Sequence, residues 1–185
     1  MTVLNNIHRR LAVAGAALAS TALAVGGILQ LTDDQSGQTT VVGVEHVTLG
    51  AFTVTLIALT PVVLAFGRLT TPTWPARITT VGLIALAGLT TISNLRGEDP
   101  SFFPPVAVVS NLLIVVGLIG LAVTLTWSGR FPKALAIGLP VTWVFVLPLS
   151  AIGGGLAASA YWLVVAWLLH QAELPRRTSP QLETA

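Results

Sequence analysis

Apolar runs alternate with short polar connections along the whole chain. The runs begin near Leu11, Val47, Ile78, Val106, Ala134 and Leu156. The longer ones reach roughly 20 residues, the length a helix needs to cross about 30 Å of hydrocarbon at about 1.5 Å per residue. The pattern predicts an all-α integral membrane protein, a bundle of six transmembrane helices. Span 1 is placed at residues 11–31, span 2 from 41 or 47 to 66, span 3 at 78–95 and span 4 at 106–127. Spans 5 and 6 share residues 134–170, so each pass gets about 17 residues, near the lower limit for crossing. Gly153-Gly154-Gly155 supplies the turn between them, and Pro140 and Pro148 are expected to break span 5. A re-entrant segment is the alternative there, allowed only where other helices shield its backbone. Pro61 is expected to kink span 2.

The N-terminus has two readings. Met1 to Arg10 followed by an apolar run and Ala22-Leu23-Ala24 has the form of a cleavable signal peptide. Residues 11–31 are also long enough to cross uncleaved, and more spans follow, which favours a first span. Cleavage would leave five spans without changing the orientation of the rest.

Charge decides the orientation. Of the nine Lys and Arg residues, Arg9, Arg10, Arg68, Arg77, Arg130, Lys133, Arg176 and Arg177 fall on one side of this topology, and only Arg96 on the other. The opposite connections carry Asp33, Asp34, Glu45, Glu98 and Asp99. Short basic loops stay in the cytoplasm, so both termini are expected there. Residues 1–10 then form a cytoplasmic N-terminal segment, 11–170 a single transmembrane domain and 171–185 a disordered cytoplasmic tail. Trp74-Pro75 in an inner loop places an indole at headgroup level. Trp74-Pro75-Ala76-Arg77 and Phe131-Pro132-Lys133 repeat an aromatic, a proline and a base, through a duplicated hairpin or through the same local constraints acting twice.

Composition narrows the classes further. Only 9% of residues are charged and 54% are hydrophobic, against about 25% charged in soluble domains. The pI of 9.9 would point to nucleic acid in a soluble protein, but here topology accounts for the bases and nucleic acid is excluded as a partner. The absence of cysteine removes disulfides, thiolate metal sites, iron–sulfur ligation and cysteine catalysis. No lysine lies inside a span to form a retinal Schiff base. No acid or base sits mid-span as proton relays and ion pathways require. Metalloprotease, phosphate-loop, dinucleotide and serine-hydrolase motifs are also missing, and no cofactor is expected.

The polar and aromatic groups that enter the membrane gather toward its outer half. Glu45 and His46 open span 2, Asn94 closes span 3, and Asn111 lies about two turns into span 4. Trp143 and Trp162 lie in the middle-to-outer parts of spans 5 and 6. Together they are a candidate vestibule for a small apolar or amphipathic ligand. The competing reading is structural: wetted interface residues, asparagines bonding between helices and packed tryptophans. Glu45, Thr48, Phe52 and Thr55 share one helical face, while His46, Thr53 and Thr60 form a second stripe about 100° round. Threonines in such helices usually satisfy themselves on the preceding turn. Glu45 is the acid most subject to desolvation and the candidate proton donor, with His46 on another face. The outer acids match no calcium loop and follow from topology, so no metal is assigned. His8 and His170 read as boundary residues.

Ala12, Ala16, Ser20 and Ala24 recur every four residues and let another helix backbone come close, either inside the bundle or on a separate subunit. In size, span count and this alanine-rich first helix, the chain resembles the substrate-binding subunits of energy-coupling-factor transporters. That resemblance carries over no binding residue. It implies a small-ligand-handling or transporter component with a membrane-protein partner, while the glycine- and alanine-rich, lysine-poor composition and the helical spans point to a bacterial inner membrane. Two other readings remain at this point. One is a non-catalytic accessory or assembly subunit of a membrane complex, with a membrane-protein partner or a second copy of itself. The other is a lipid or isoprenoid enzyme with Glu45 as acid and tryptophans steadying a carbocation.

Overall fold

The computed structural model describes residues 6–32, 43–147, 149 and 152–171. Among them run six helices: α1 (Asn6–Thr32), α2 (Val44–Leu69), α3 (Trp74–Arg96), α4 (Phe103–Ser128), α5 (Lys133–Val146) and α6 (Gly154–Gln171). Four of them, α1 to α4, are long and apolar enough to cross a membrane. The two-helix reading of the final region matches α5 and α6, but they are unequal. α5 has 14 residues, about 21 Å of rise, and α6 has 18.

Each helix starts or ends a few residues beyond its apolar run, because local chemistry sets the ends. Pro75 sits in the first turn of α3, Pro104 and Pro105 in that of α4, and Pro132 precedes α5. Proline fits there because the first N–H groups of a helix have no internal partner. α3 and α4 both stop at a glycine with left-handed backbone, Gly97 (φ 71) and Gly129 (φ 63), where a side chain would be strained. Gly97 N–H donates to Ser93 O at 3.0 Å.

Pro140 acts differently from the sequence expectation. α2 runs through Pro61 and α5 through Pro140 without ending. α5 stops at Val146, and Leu147 after it keeps backbone in the helical region (φ −100, ψ −72), its N–H donating to Trp143 O at 3.2 Å. Pro140 therefore does not break span 5. Pro148 itself, Asp33, Asp34, Arg176 and Arg177 lie outside the described residues.

The helices pack in chain order and α6 closes against α1. Paired contacts fix the direction of the first three pairs, and single ones join the last helices. A Cβ on Gly15 would meet Ala58 and one on Gly26 would meet Ala51, so α2 runs antiparallel to α1. His46–Asn94 and Thr53–Thr90 join α2 to α3, and Gly82 and Gly117 fit against Ser110 and Thr79 between α3 and α4. Tyr161 Oη donates to Leu135 O at 2.6 Å between α5 and α6. Ser20 Oγ donates to Ser159 O at 2.9 Å, tying α6 back to α1. The result is an up-and-down ring.

This ring sorts the charges. Arg9, Arg10, Arg68, Arg77, Arg130 and Lys133 lie at one end, with the start of α1 and the end of α6. Arg96 lies at the other end with Glu45, Glu98 and Asp99. The exposed tryptophans Trp74, Trp127 and Trp167 all sit near the basic end, while Trp143 and Trp162 are buried. Ile57, Ile84, Leu112, Val116 and Leu163 are exposed on the outside of the ring, a surface suited to lipid rather than water.

Candidate functional site

The Glu45 end of the ring holds a cavity of about 220 Å³. It exists because small residues stand where four helices converge. Gly27 of α1 meets Gly155 of α6 almost backbone to backbone: a Cβ on Gly27 would come within 2.9 Å of Leu156 N, and one on Gly155 within 3.0 Å of Leu23 O. Gly26 and Ala22 line the adjacent wall. α5 ends so early that it contributes only Val146 and the following Leu147.

The opposite wall is one face of α2. Glu45, Thr48, Phe52 and Thr55, the four residues that helical spacing puts on one side, all line the cavity. Thr48 Oγ1 donates to Val44 O at 3.2 Å and Thr55 Oγ1 to Ala51 O at 2.9 Å. Glu45 Oε2 is buried and has no hydrogen-bond partner. A buried polar atom left in that state is costly.

Below this level the ring is filled. Leu56, Val62, Phe66 and Trp162 are each no more than 2% exposed. The basic end is tied across its loops, with Arg130 Nη1 donating to Leu69 O at 3.1 Å and the Phe66 and Phe131 rings 5.0 Å apart. The cavity is blind.

Of the six residues proposed from sequence as a vestibule, only Glu45 lines it. His46 Nδ1 and Asn94 Oδ1 lie 2.7 Å apart on the α2–α3 side. Trp143 Nε1 donates to Asn111 Oδ1 at 3.0 Å, and Asn111 Nδ2 to Ala107 O at 2.8 Å. Trp143 stands behind the cavity wall, its ring 6.4 Å from that of Phe52. Trp162 is packed edge-on against Tyr161, with 5.2 Å between centroids. The set thus divides into one cavity acid, two helix-joining pairs and one packed indole.

The chain matches no known protein family, curated protein or solved structure. The resemblance to energy-coupling-factor subunits gains nothing from these comparisons.

Sequence reading missed the rest of the cavity, notably Gln30, Gly26, Gly27 and Gly155. Gly26-Gly27 and Gly153-Gly154-Gly155 were visible as clusters. That they face each other depends on the closure of α6 against α1, which no local pattern encodes. Ala12, Ala16 and Ser20 are buried within the bundle, and Ala24 is half-buried.

Proposed function

We propose that this chain is a multi-pass protein of a bacterial inner membrane that holds a small apolar or amphipathic ligand in the cavity at its Glu45 end. The positive residues favour a cytoplasmic basic end, so the cavity lies on the outer side. Both termini are then cytoplasmic. The carrying observation is a blind, mainly apolar cavity of about 220 Å³ with a buried, unpartnered carboxylate oxygen on its wall. An engineered apolar cavity of about 150 Å³ takes up benzene, so a ring-sized or short-chain molecule fits. The filled lower bundle supports holding rather than free conduction.

An enzyme is the weaker reading, since among the described residues no second acid lines the cavity. An accessory subunit is weaker too, because the faces of Ala12, Ala16 and Ser20 are taken up inside the ring.

Native mass spectrometry of the gently solubilised protein tests the proposal, alongside Gly26→Leu. A Cβ at Gly26 meets only Ala51, at 3.9 Å, so a leucine there has room to fill the cavity. A small molecule retained by the wild type and lost in the variant is the expected result. An empty wild type that copurifies with a stoichiometric membrane partner would sink the ligand reading.

A further inference from the structure

We infer that the cavity selects a ligand carrying a primary or secondary ammonium on a short apolar body, with the ammonium donating to Glu45 Oε2. This rests on the ligand-holding reading and adds the chemical class.

Four side chains bring polar atoms to the cavity: Gln30, Glu45, Thr48 and Thr55. The two threonine hydroxyls have already given their protons to Val44 O and Ala51 O, so toward the cavity they offer only lone pairs. Glu45, when ionised, offers only acceptors, and its Oε2 is buried without a partner. Gln30 supplies the only side-chain N–H among these lining residues. Among the described residues no lysine, arginine or histidine lines the cavity, and the neighbouring His46 is engaged with Asn94. The described wall therefore has surplus acceptors and a single acid, Glu45.

An anion would meet repulsion here, and a carbonyl compound would find few donors. Among the described residues no group of three His, Cys, Asp or Glu side chains gathers to hold a metal ion, and one carboxylate supplies little of the charge a hard cation needs. An ammonium supplies several N–H donors and the opposite charge in one small group. Charge-assisted bonds of this kind are about twice as strong as neutral ones. The remaining walls, Leu23, Leu49, Phe52 and Val146, suit an alkyl chain or ring, and Phe52 can add cation–π attraction.

The same chemistry could come from a free amine outside the cell or from the aminoethyl headgroup of a lipid. The test uses the full chain in nanodiscs of phosphatidylcholine, whose quaternary headgroup has no N–H, with empty nanodiscs as the blank. Calorimetric titration compares the straight-chain amines from butyl to octyl with the matching alcohols. The best amine is expected to bind at least about tenfold tighter than its alcohol, equivalent to about 1.4 kcal/mol. In Glu45→Gln the ratio should fall toward one while alcohol binding persists, which also shows that the variant is folded. If that variant does not fold, Thr55→Val removes one acceptor at nearly constant shape and should lower the ratio in the same direction.

Equal affinity for amine and alcohol would overturn the ammonium assignment and leave the ligand cavity standing. Saturable binding by no member of either series would overturn both. Replacing a quarter of the lipid with phosphatidylethanolamine identifies the source. Weaker amine binding in that membrane assigns the site to the lipid headgroup, and unchanged binding assigns it to a free amine.

Discussion

Trp143 is where the chain commits an indole N–H inside the bundle, and its partner Asn111 is itself held by Ala107 O. Trp143→Phe keeps most of the ring but removes the donor. Hydrogen bonds between membrane helices average about 0.6 kcal/mol and reach about 1.7. The substitution should lower stability within that range, read by reversible unfolding in detergent mixtures. Combined with Asn111→Ala, it should cost less than the two single losses added, because both remove the same bond. At this scale the sequence was legible where one helix sufficed. Helical period alone grouped Glu45 with Thr48, Phe52 and Thr55, and the structure puts all four on the cavity wall. It also separated His46 and Thr53 onto the face that meets Asn94 and Thr90. Residues that need the register of two helices stayed hidden. Asn94, Asn111 and Trp143 look alike in depth along the chain, yet they belong to different pairs.

Glycines divide the elements into those that touch and those that do not. Gly27 of α1 has no room, since a methyl group there would press on the backbone of Gly155 and Leu156. Gly27→Val should destabilise the protein by about 1–3 kcal/mol, the usual cost of overpacking, and loosen α1 from α6. Gly88 of α3 is the control, with nothing within 4 Å of its added Cβ. Gly88→Ala should stabilise by about 0.4–1 kcal/mol through the unfolded chain and helix propensity. Thermal unfolding of the two variants checks both signs. Element boundaries were predictable to within a few residues because hydrophobicity marks the membrane core. Prolines and glycines in the flanking turns then set the actual ends. Pro140 was misleading for a physical reason: a proline can sit inside a membrane helix where neighbouring groups satisfy the freed backbone.

The ring as a whole follows from short connections between successive helices, which favour antiparallel neighbours. Its closure, α6 against α1, needed the structure. The absence of cysteine makes the proposed orientation easy to test, because a single introduced thiol is the only one present. Glu98→Cys should react with a membrane-impermeant maleimide on intact cells, whereas Arg130→Cys should react only after permeabilisation. The opposite pattern would invert the bundle and put the cavity on the cytoplasmic side. α5 has one further consequence for the whole molecule. At 14 residues it is shorter than α4 and α6, the helices it packs against, so on the proposed multi-pass reading the bundle presents a low flank to a sheet of nearly uniform thickness. Lipids beside that flank must sink or splay to avoid exposing their tails. Acyl-chain length then becomes a control on this protein: long-chain membranes strain the flank beside Val146, and short-chain ones relax it.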